Sequence, residues 1–370
     1  MKNKINNYDV LIVGGGLIGS LLALNLSRIN KKILVIEKNK VTFQDSRTLA
    51  VNSNSKNFLE KINIWKKIKN EPQKLDKIII KDYINKENLV FANQKEIMGH
   101  VAYSRDIAQI AYQILKKKKL ILENINLDLD SIKENQLINL NNKIFKFKKI
   151  ILAVGKKFQN QFLNKINFNT NHKSYVGFFE HSLDHKDTAH EVFTKSGPLA
   201  VLPCPYKTKF KSTFIYSTES NVNLSKLNII LKKNFAETHG KIFLEKNFSY
   251  FSLTPHLSKE SKFILIGDAL RSIHPVAGQG WNLGIKDIQV FTELVQKYGL
   301  EDERFSKLYY ANRTAESFGY IALTSMINDL YDQKIPLAKM IIKASFQMLR
   351  RIEPIRNLFI KQAAGQIKLI

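Results

Sequence analysis

Gly14, Gly16 and Gly19 form a G-x-G-x-x-G pattern, and an acid, Glu37, stands about 20 residues further on. That combination can hold a dinucleotide. Gly14 suits a tight turn, Gly16 lets backbone approach a pyrophosphate, and Gly19 lets a helix pack closely on a strand. Glu37 can accept hydrogen bonds from both hydroxyls of a ribose. A carboxylate there repels a 2′-phosphate, which disfavours NADPH in this particular cradle. A second constellation lies far along the chain, in "KFILIGDALRSIHPVAGQGWNLG". An apolar run, Phe263 to Ile266, stops at Gly267 and a lone carboxylate, Asp268. His274-Pro275 and the Gly278-Gln279-Gly280 loop follow. A buried strand ending this way presents backbone N–H groups and one anion to a ligand. His274 could act as acid or base, although a residue in this setting more often orients its loop. Arg47 could clamp a phosphate or a substrate anion with its fork, and a solvated surface arginine is the plain alternative.

These residues need elements to hold them. Val10 to Val13 predicts a buried strand, Leu21, Leu22, Leu24 and Leu26 a helix, and Ile33 to Ile36 a second strand ending at Glu37. A helix is expected over residues 53–68, and alternating segments in "LDKIIIKDYINKENLVFANQ" predict antiparallel strands. Ser104 to Lys119 reads as a helix capped by Ser104. Ile150 to Val154 predicts a strand closing on Gly155, and short strands recur from about Ser174 to Ser217, including "GPLAVLPCP". A helix beginning near Asn282 would carry Ile288, Phe291, Leu294 and Val295 on one face. His256 reads as a turn residue and Cys204 as a small core residue. Arg271 could lie near a ligand or face solvent. The nucleotide-binding pieces therefore sit towards both ends of an α/β chain, with strand-rich pieces between. Residues 1–75, 101–156 and 256–330 would form a discontinuous, Rossmann-like domain. Residues 76–100 and 157–255 would form an inserted β-rich domain, and 331–370 a helical carboxy-terminal segment. A ligand is expected at the seam.

Composition narrows the partners. Among 370 residues, 44% are hydrophobic, enough for a real core. The single cysteine excludes an internal disulfide, and the eight histidines show no metal-ligand spacing, so no metal is expected. The net charge is +26. Of 58 basic residues 9 are Arg, leaving 49 Lys, in a chain also rich in Asn and Ile. Phosphate readers lean on Arg forks. Compositional drift therefore accounts for most of the charge, and a nucleic-acid partner is not expected. The first seven residues are polar and no apolar run reaches the ~18 residues of a membrane span. The expected location is cytoplasmic, with peripheral contact at the inner membrane. The tail, "PLAKMIIKASFQMLRRIEPIRNLFIKQAAG", is basic and amphipathic. It could lie on an anionic membrane or pack on its own domain or a partner.

Taken together, "DVLIVGGGLIGSLLALNL", "DSRTLAV", "GPLAVLP", "LIGDALRSIHPVAGQGWNLGIKD" and "YYANRTAESFGYIALTSMINDLY", in this order over nearly the whole chain, resemble the flavin-dependent aromatic monooxygenases of the para-hydroxybenzoate hydroxylase type, and among them the ubiquinone-biosynthesis hydroxylases. The resemblance implies an FAD site. Gly14, Gly16, Leu17, Ile18, Gly19, Glu37 and Lys38 would form its first half, Arg47 and Arg105 would join them, and Gly267, Asp268, Gly280 and Asn282 would form the second. Asp268 would bond the ribityl chain. Pro275, Gly278, Gln279 and Gly280 would pack at the flavin ring, with the next helix aimed at its N1/O2 edge. The implied reaction is ring hydroxylation of a membrane-associated polyprenyl phenol by a flavin C4a-hydroperoxide. NADPH or NADH would be the reductant, and other quinone-biosynthesis proteins would be possible partners. One departure stands out: Val154 occupies the place of the family's Asp in its Ala-Asp-Gly segment, which bears on reduction by NAD(P)H. It leaves open a flavin-binding, catalytically weak scaffold or prenyl-tail binder. An FAD-linked prenyl reductase shares the cofactor fold.

Overall fold

A computed structural model describes residues 5–45, 47–69, 71–92, 97–129, 132, 137–140, 143–156, 165–168, 172–206, 208–252, 255–258, 263–274, 278–331 and 336–366. Val10, Leu11 and Ile12 are fully buried because their strand, Ile5–Val13, lies inside a parallel sheet covered on both faces. A parallel strand in that position must be apolar on both sides, which explains the unbroken run. It pairs in parallel with Ile33–Ile36 on one side and Lys143–Leu152 on the other. Ile121–Leu122 and Ile264–Leu265 extend the sheet, and Leu137–Leu140 joins it antiparallel.

Among the described residues eight α-helices follow one another: α1 (Leu17–Arg28), α2 (Ser53–Lys61), α3 (Ser104–Lys117), α4 (Leu224–His239), α5 (Gln279–Tyr298), α6 (Arg304–Tyr331), α7 (Ala338–Arg351) and α8 (Glu353–Ala363). Helix α2 ends seven residues before the expected Ile68, because Asn63 turns left-handed at φ 57° and only a short 3₁₀ turn, Trp65–Lys67, follows. Ser104 does not cap α3; Tyr103 holds the cap position and Ser104 is the first helical residue. Helix α5 starts at Gln279, three residues before Asn282, behind a left-handed Gly278. His256 lies in a short strand, His256–Ser258, not in a turn.

The second large sheet has eight strands, drawn from residues 77–92 and 173–252. All its pairs are antiparallel except Thr188–Thr194 with Lys77–Asp82. Helix α4 buries Leu227, Leu231 and Phe235, one per turn, against Tyr175, Phe179, Phe214 and Tyr216 of this sheet. Each such side chain contributes about 1.5–3 kcal/mol when fully buried. At the far edge, Tyr331 of α6 and Ala338, Ile342 and Phe346 of α7 cover Leu89, Phe91 and Phe193, with the Phe193 and Tyr331 rings stacked 4.3 Å apart. The architecture is thus a Rossmann-like α/β sheet, a β-rich sheet and a helical carboxy-terminal segment.

Candidate functional site

The first half of the site is built by close approach. Gly14 has φ 111°, and a Cβ there would come within 2.5 Å of Ala153 O. A Cβ on Gly19 would meet Gly14 O at 2.0 Å, so α1 presses on the turn in a way only glycine permits. Gly16 differs: a Cβ there would meet nothing within 4 Å, because it faces an open cleft. Gly16 also caps α1 without any side-chain bond to the first-turn N–H groups. Those N–H groups and the positive helix end suit an anion. Glu37, at the tip of the second strand, accepts from Gly15 N (2.7 Å) and Asn39 N (3.2 Å), pinning the turn while still lining the cleft.

The second half follows the Phe263–Ile266 run. Gly267 turns left-handed at φ 62° and opens a 3₁₀ turn, which leaves Asp268 facing the cleft. The Gly267 N–H donates to Asp287 Oδ2 of α5 at 2.9 Å. Asp287 is fully buried and also accepts from Arg271 Nη1 (2.9 Å) and Arg313 Nε (2.7 Å), while Arg313 pairs with Glu316. Two cations and two anions thus lie inside the fold and fix the turn against α5 and α6. Burial alone would lower the Arg313 pKa, but Asp287 and Glu316 hold it raised. Ile18 locks the two halves together: a Cβ on Gly284 would lie 2.7 Å from its Cδ1, and one on Gly267 3.3 Å from its Cγ1.

Between the halves runs a cleft of about 730 Å³. Its charged groups are Glu37, Lys38, Asp45, Arg47, Arg105, Lys156 and Asp268. Arg47 forks onto Asp45 through Nε (2.9 Å) and Nη2 (2.8 Å). Burial works to raise the Asp45 pKa, yet the Arg47 bonds and charge keep it below the usual carboxylate value. Asp268 is open to the cleft but enclosed by protein elsewhere. That enclosure pushes its pKa up, against the pull of Lys156, Arg271 and Arg47. Arg105 reaches Tyr206 OH (3.3 Å) and stacks over the Tyr103 ring. One wall is aliphatic: Val176, Leu202 and Ile215 come from the β-rich sheet, with Ile273, Gly278 and Trp281 also lining the cleft.

Of the residues singled out from sequence, Gly14, Gly16, Leu17, Ile18, Glu37, Lys38, Arg47, Arg105, Gly267, Asp268, Gly278 and Gly280 line this one cleft. Gly19, Gln279 and Asn282 do not. Gly19 serves packing, and Asn282 is turned inward, giving Nδ2 to Ala50 O (3.0 Å) and taking Ser55 Oγ (2.8 Å). His274 is buried and meets His172. Pro275 lies outside the described residues. Arg271 neither faces solvent nor lines the cleft; it is buried against Asp287. Sequence reading missed Asp287, Arg313, Lys156 and the Val176, Leu202, Ile215 wall. The one signal for Asp287 is its place beside Ile288 and four before Phe291, on the apolar face of α5.

Comparison with known proteins agrees with this geometry. A family profile described as the FAD binding domain matches residues 7–118, and one described as squalene epoxidase matches residues 225–365. Ubiquinone hydroxylase UbiL of Rhodospirillum rubrum is 25% identical, over 98% of this chain and 90% of its own. Ubiquinone hydroxylase UbiM of Neisseria meningitidis is 22% identical over 96% of this chain and 84% of its own. The chain is related, over nearly its full length, to FAD-binding monooxygenases of the ubiquinone hydroxylase kind. The ubiquinone biosynthesis monooxygenase COQ6 of Dictyostelium discoideum is a further relative, 22% identical over 98% of this chain and 92% of its own. The fold is that of p-nitrophenol 4-monooxygenase from Pseudomonas putida, with a TM-score of 0.76 at 14% identity, covering 99% of this chain and all of the other.

The residues present fit FAD. Gly16 leaves open the space a pyrophosphate needs, and the uncapped start of α1 faces the same cleft. Asp268 offers a carboxylate for a sugar chain, and Gly278, in its left-handed cap position, leaves the start of α5 without a side-chain cap beside the same cleft. Such an uncapped helix end would favour negative charge on a group bound there.

Proposed function

We propose that this monooxygenase hydroxylates the aromatic ring of a polyprenylated ubiquinone precursor, with NADPH or NADH as reductant. The observation that carries this reading is the aliphatic wall. Where the cleft is walled by Val176, Leu202 and Ile215, it suits an apolar ring rather than a charged one. Bound FAD supplies the redox chemistry that activates O2. The chain's own residues do the rest. Gly14, Gly16 and the start of α1 bind phosphate, Glu37 and Asp268 orient the sugar parts, and the wall excludes water and positions the ring. The relatives' names support the substrate class. We also propose that the substrate is met at a lipid surface, because α7 and α8 leave Met340, Met348, Leu358 and Phe359 exposed among basic residues.

The test is purification followed by turnover with NADPH or NADH and a short-chain prenyl phenol. Yellow, FAD-bearing protein that consumes O2 and forms a hydroxylated product is expected. FAD binding without reduction or product would favour the scaffold that Val154 leaves open. Loss of a double bond from the prenyl chain would make the chain a reductase. Protein that cannot be reconstituted with FAD would sink the proposal.

A further inference from the structure

We propose that the outward face of α6 pairs antiparallel with the same face of a second copy of this chain, making a reversible two-fold dimer. Pairing does not depend on the reaction proposed above. Helix α6 is apolar on both sides. Its inner side buries Phe305, Tyr309, Tyr310, Ile321 and Leu330. Its outer side leaves Leu308 37%, Phe318 57%, Leu323 46% and Met326 50% exposed. Ala311, Ala315, Gly319 and Ala322 are exposed between them. A helix that is apolar all round is normally covered all round.

Charge decides between lipid and protein as the cover. From Leu308 to Asn328 the charged residues are Arg313 and Glu316, and both are buried. A helix lying on an anionic membrane carries Lys and Arg beside its apolar side chains, and α7 and α8 have them. The α6 face has none over that length, in a chain of net charge +26. The charges on this face sit at its two ends and are opposite. Arg304 and Lys307 are exposed at the start, and Asp329 lies near the end. Of the acids just before them, Glu301 is held by Lys148 and Asp302 by Arg304. Glu303 is turned about 100° away from Arg304 around the helix. An antiparallel copy sets each basic end against an acidic one, whereas a parallel copy sets like against like.

The sequence also supplies a register. Leu308, Ala315 and Ala322 recur every seven residues, and so do Ala311, Phe318 and Ser325. Such a repeat forms the seam of two helices packed knobs into holes. When Phe318 of one copy lies over Ala315 of the other, the two-fold axis repeats that contact. Ala311 then falls opposite Ala322, Leu308 opposite Ser325, and Arg304 opposite Asp329. Phe318 and Leu308, the large side chains of the seam, thus each meet a small one. The paired length is ~38 Å of a helix ~10–12 Å wide, so on the order of 400 Å² is covered on each copy. That lies at the low end for specific interfaces, which makes the dimer weak and reversible.

Sedimentation velocity of the FAD-loaded protein tests the pairing: between about 1 and 200 μM, the mass should move from one copy towards two. Phe318→Glu, on an exposed side chain, should raise the dissociation constant roughly 30-fold or more. FAD content should be unchanged, as should melting at concentrations where the native protein is a monomer. Cysteine cross-linking tests the register, since the single native cysteine, Cys204, is buried. Ala311→Cys mixed with Ala322→Cys should form disulfide-linked dimers under mild oxidation. Each variant alone should form few, because like positions lie ~16 Å apart along the pair. A monomer at every concentration overturns the proposal. Equal cross-linking of each variant with itself overturns the antiparallel arrangement. Native self-association in Phe318→Glu takes the dimer contact away from α6 and overturns the proposal; if that variant also loses flotation with phosphatidylglycerol vesicles, the face is a lipid contact instead.

Discussion

Gly16 and Gly19 belong to one motif but are held by different physics. Gly16 has φ −66° and empty space where a side chain would go. Gly16→Ala should therefore fold with native stability and lose FAD affinity, because its methyl intrudes only on the cofactor. Gly19→Ala places a methyl 2.0 Å from Gly14 O. It should destabilise the apoprotein by about 1–3 kcal/mol, the usual cost of overpacking. Denaturant unfolding of the apoproteins beside FAD titrations checks both, and equal stability losses would contradict the assignment. Asp287 marks the limit of what sequence shows at this scale. Glycines and an acid at fixed spacing declare a phosphate cradle, but a buried acid declares itself only when its partners are known. Arg271 and Arg313 lie 16 and 26 residues away. Asp287→Asn leaves two arginines buried beside a single anion, and it should cost about 3–5 kcal/mol, the penalty for removing one partner of a buried pair. Thermal melting measures that loss; a melting point within error of the native protein's would show that the cluster is not holding the turn.

At the scale of elements, periodicity revealed the main strands of both sheets and helices α1, α2, α3 and α5, since alternation and 3.6-residue spacing are local properties, whereas α4 lies inside a stretch read as β-rich. The histidines of the β-rich sheet illustrate what is not local. His181, His185, His190 and His239 sit far apart in sequence, yet all are buried, with His181 and His239 rings 4.6 Å apart and His190 and His239 5.5 Å apart. Burial first, then the neighbouring histidines, lowers His239 to about 3; burial, with Lys81, lowers His190 to about 4; burial also lowers His181. These folded-state values lie below the ~6.5 of an unfolded histidine. The unfolded chain therefore takes up protons first as pH falls. Stability is full above about pH 6.5 and is lost progressively below it, towards the folded values. At pH 5 His239 and His190 are unprotonated in the fold, so together they contribute roughly 2.5 kcal/mol per pH unit to the slope, and His181 adds to it in the same direction. His239→Phe should remove about one proton from that slope. Urea unfolding from pH 7.5 to 5 reads it directly, and an unchanged slope in the variant would remove the cluster as the cause.

At the scale of the molecule, the amphipathic tail posed a choice between membrane and self-packing, and the fold packs one face of α7 on the sheet while leaving another exposed. Ala338, Ile342 and Phe346 of α7 are buried on the sheet edge, while Met340 (60%) and Met348 (42%) remain exposed. Helix α8 has no buried residue and leaves Leu358 59% exposed. Its end is held by polar contacts: Asn52 Nδ2 donates to Ala363 O (3.2 Å) and Asn54 N to Ala364 O (3.3 Å). No helix among the described residues is long and apolar enough to cross a membrane. The lipid contact proposed above would be made at the surface, by the exposed side chains of α7 and α8. Lys339, Lys343, Arg350, Arg351, Arg356 and Lys361 accompany the exposed side chains, against Glu353 alone. Each basic residue near an anionic surface contributes about 1 kcal/mol, and the attraction fades within a Debye length of ~8 Å at physiological salt. Purified protein should float with vesicles containing phosphatidylglycerol, float much less with neutral vesicles, and be released by raised salt. Met340→Asp combined with Leu358→Asp should abolish flotation while leaving melting and FAD content unchanged, since neither side chain is packed. Equal flotation of this variant would move the contact away from α7 and α8, and equal binding to neutral vesicles would show that the positive charge plays no part in it.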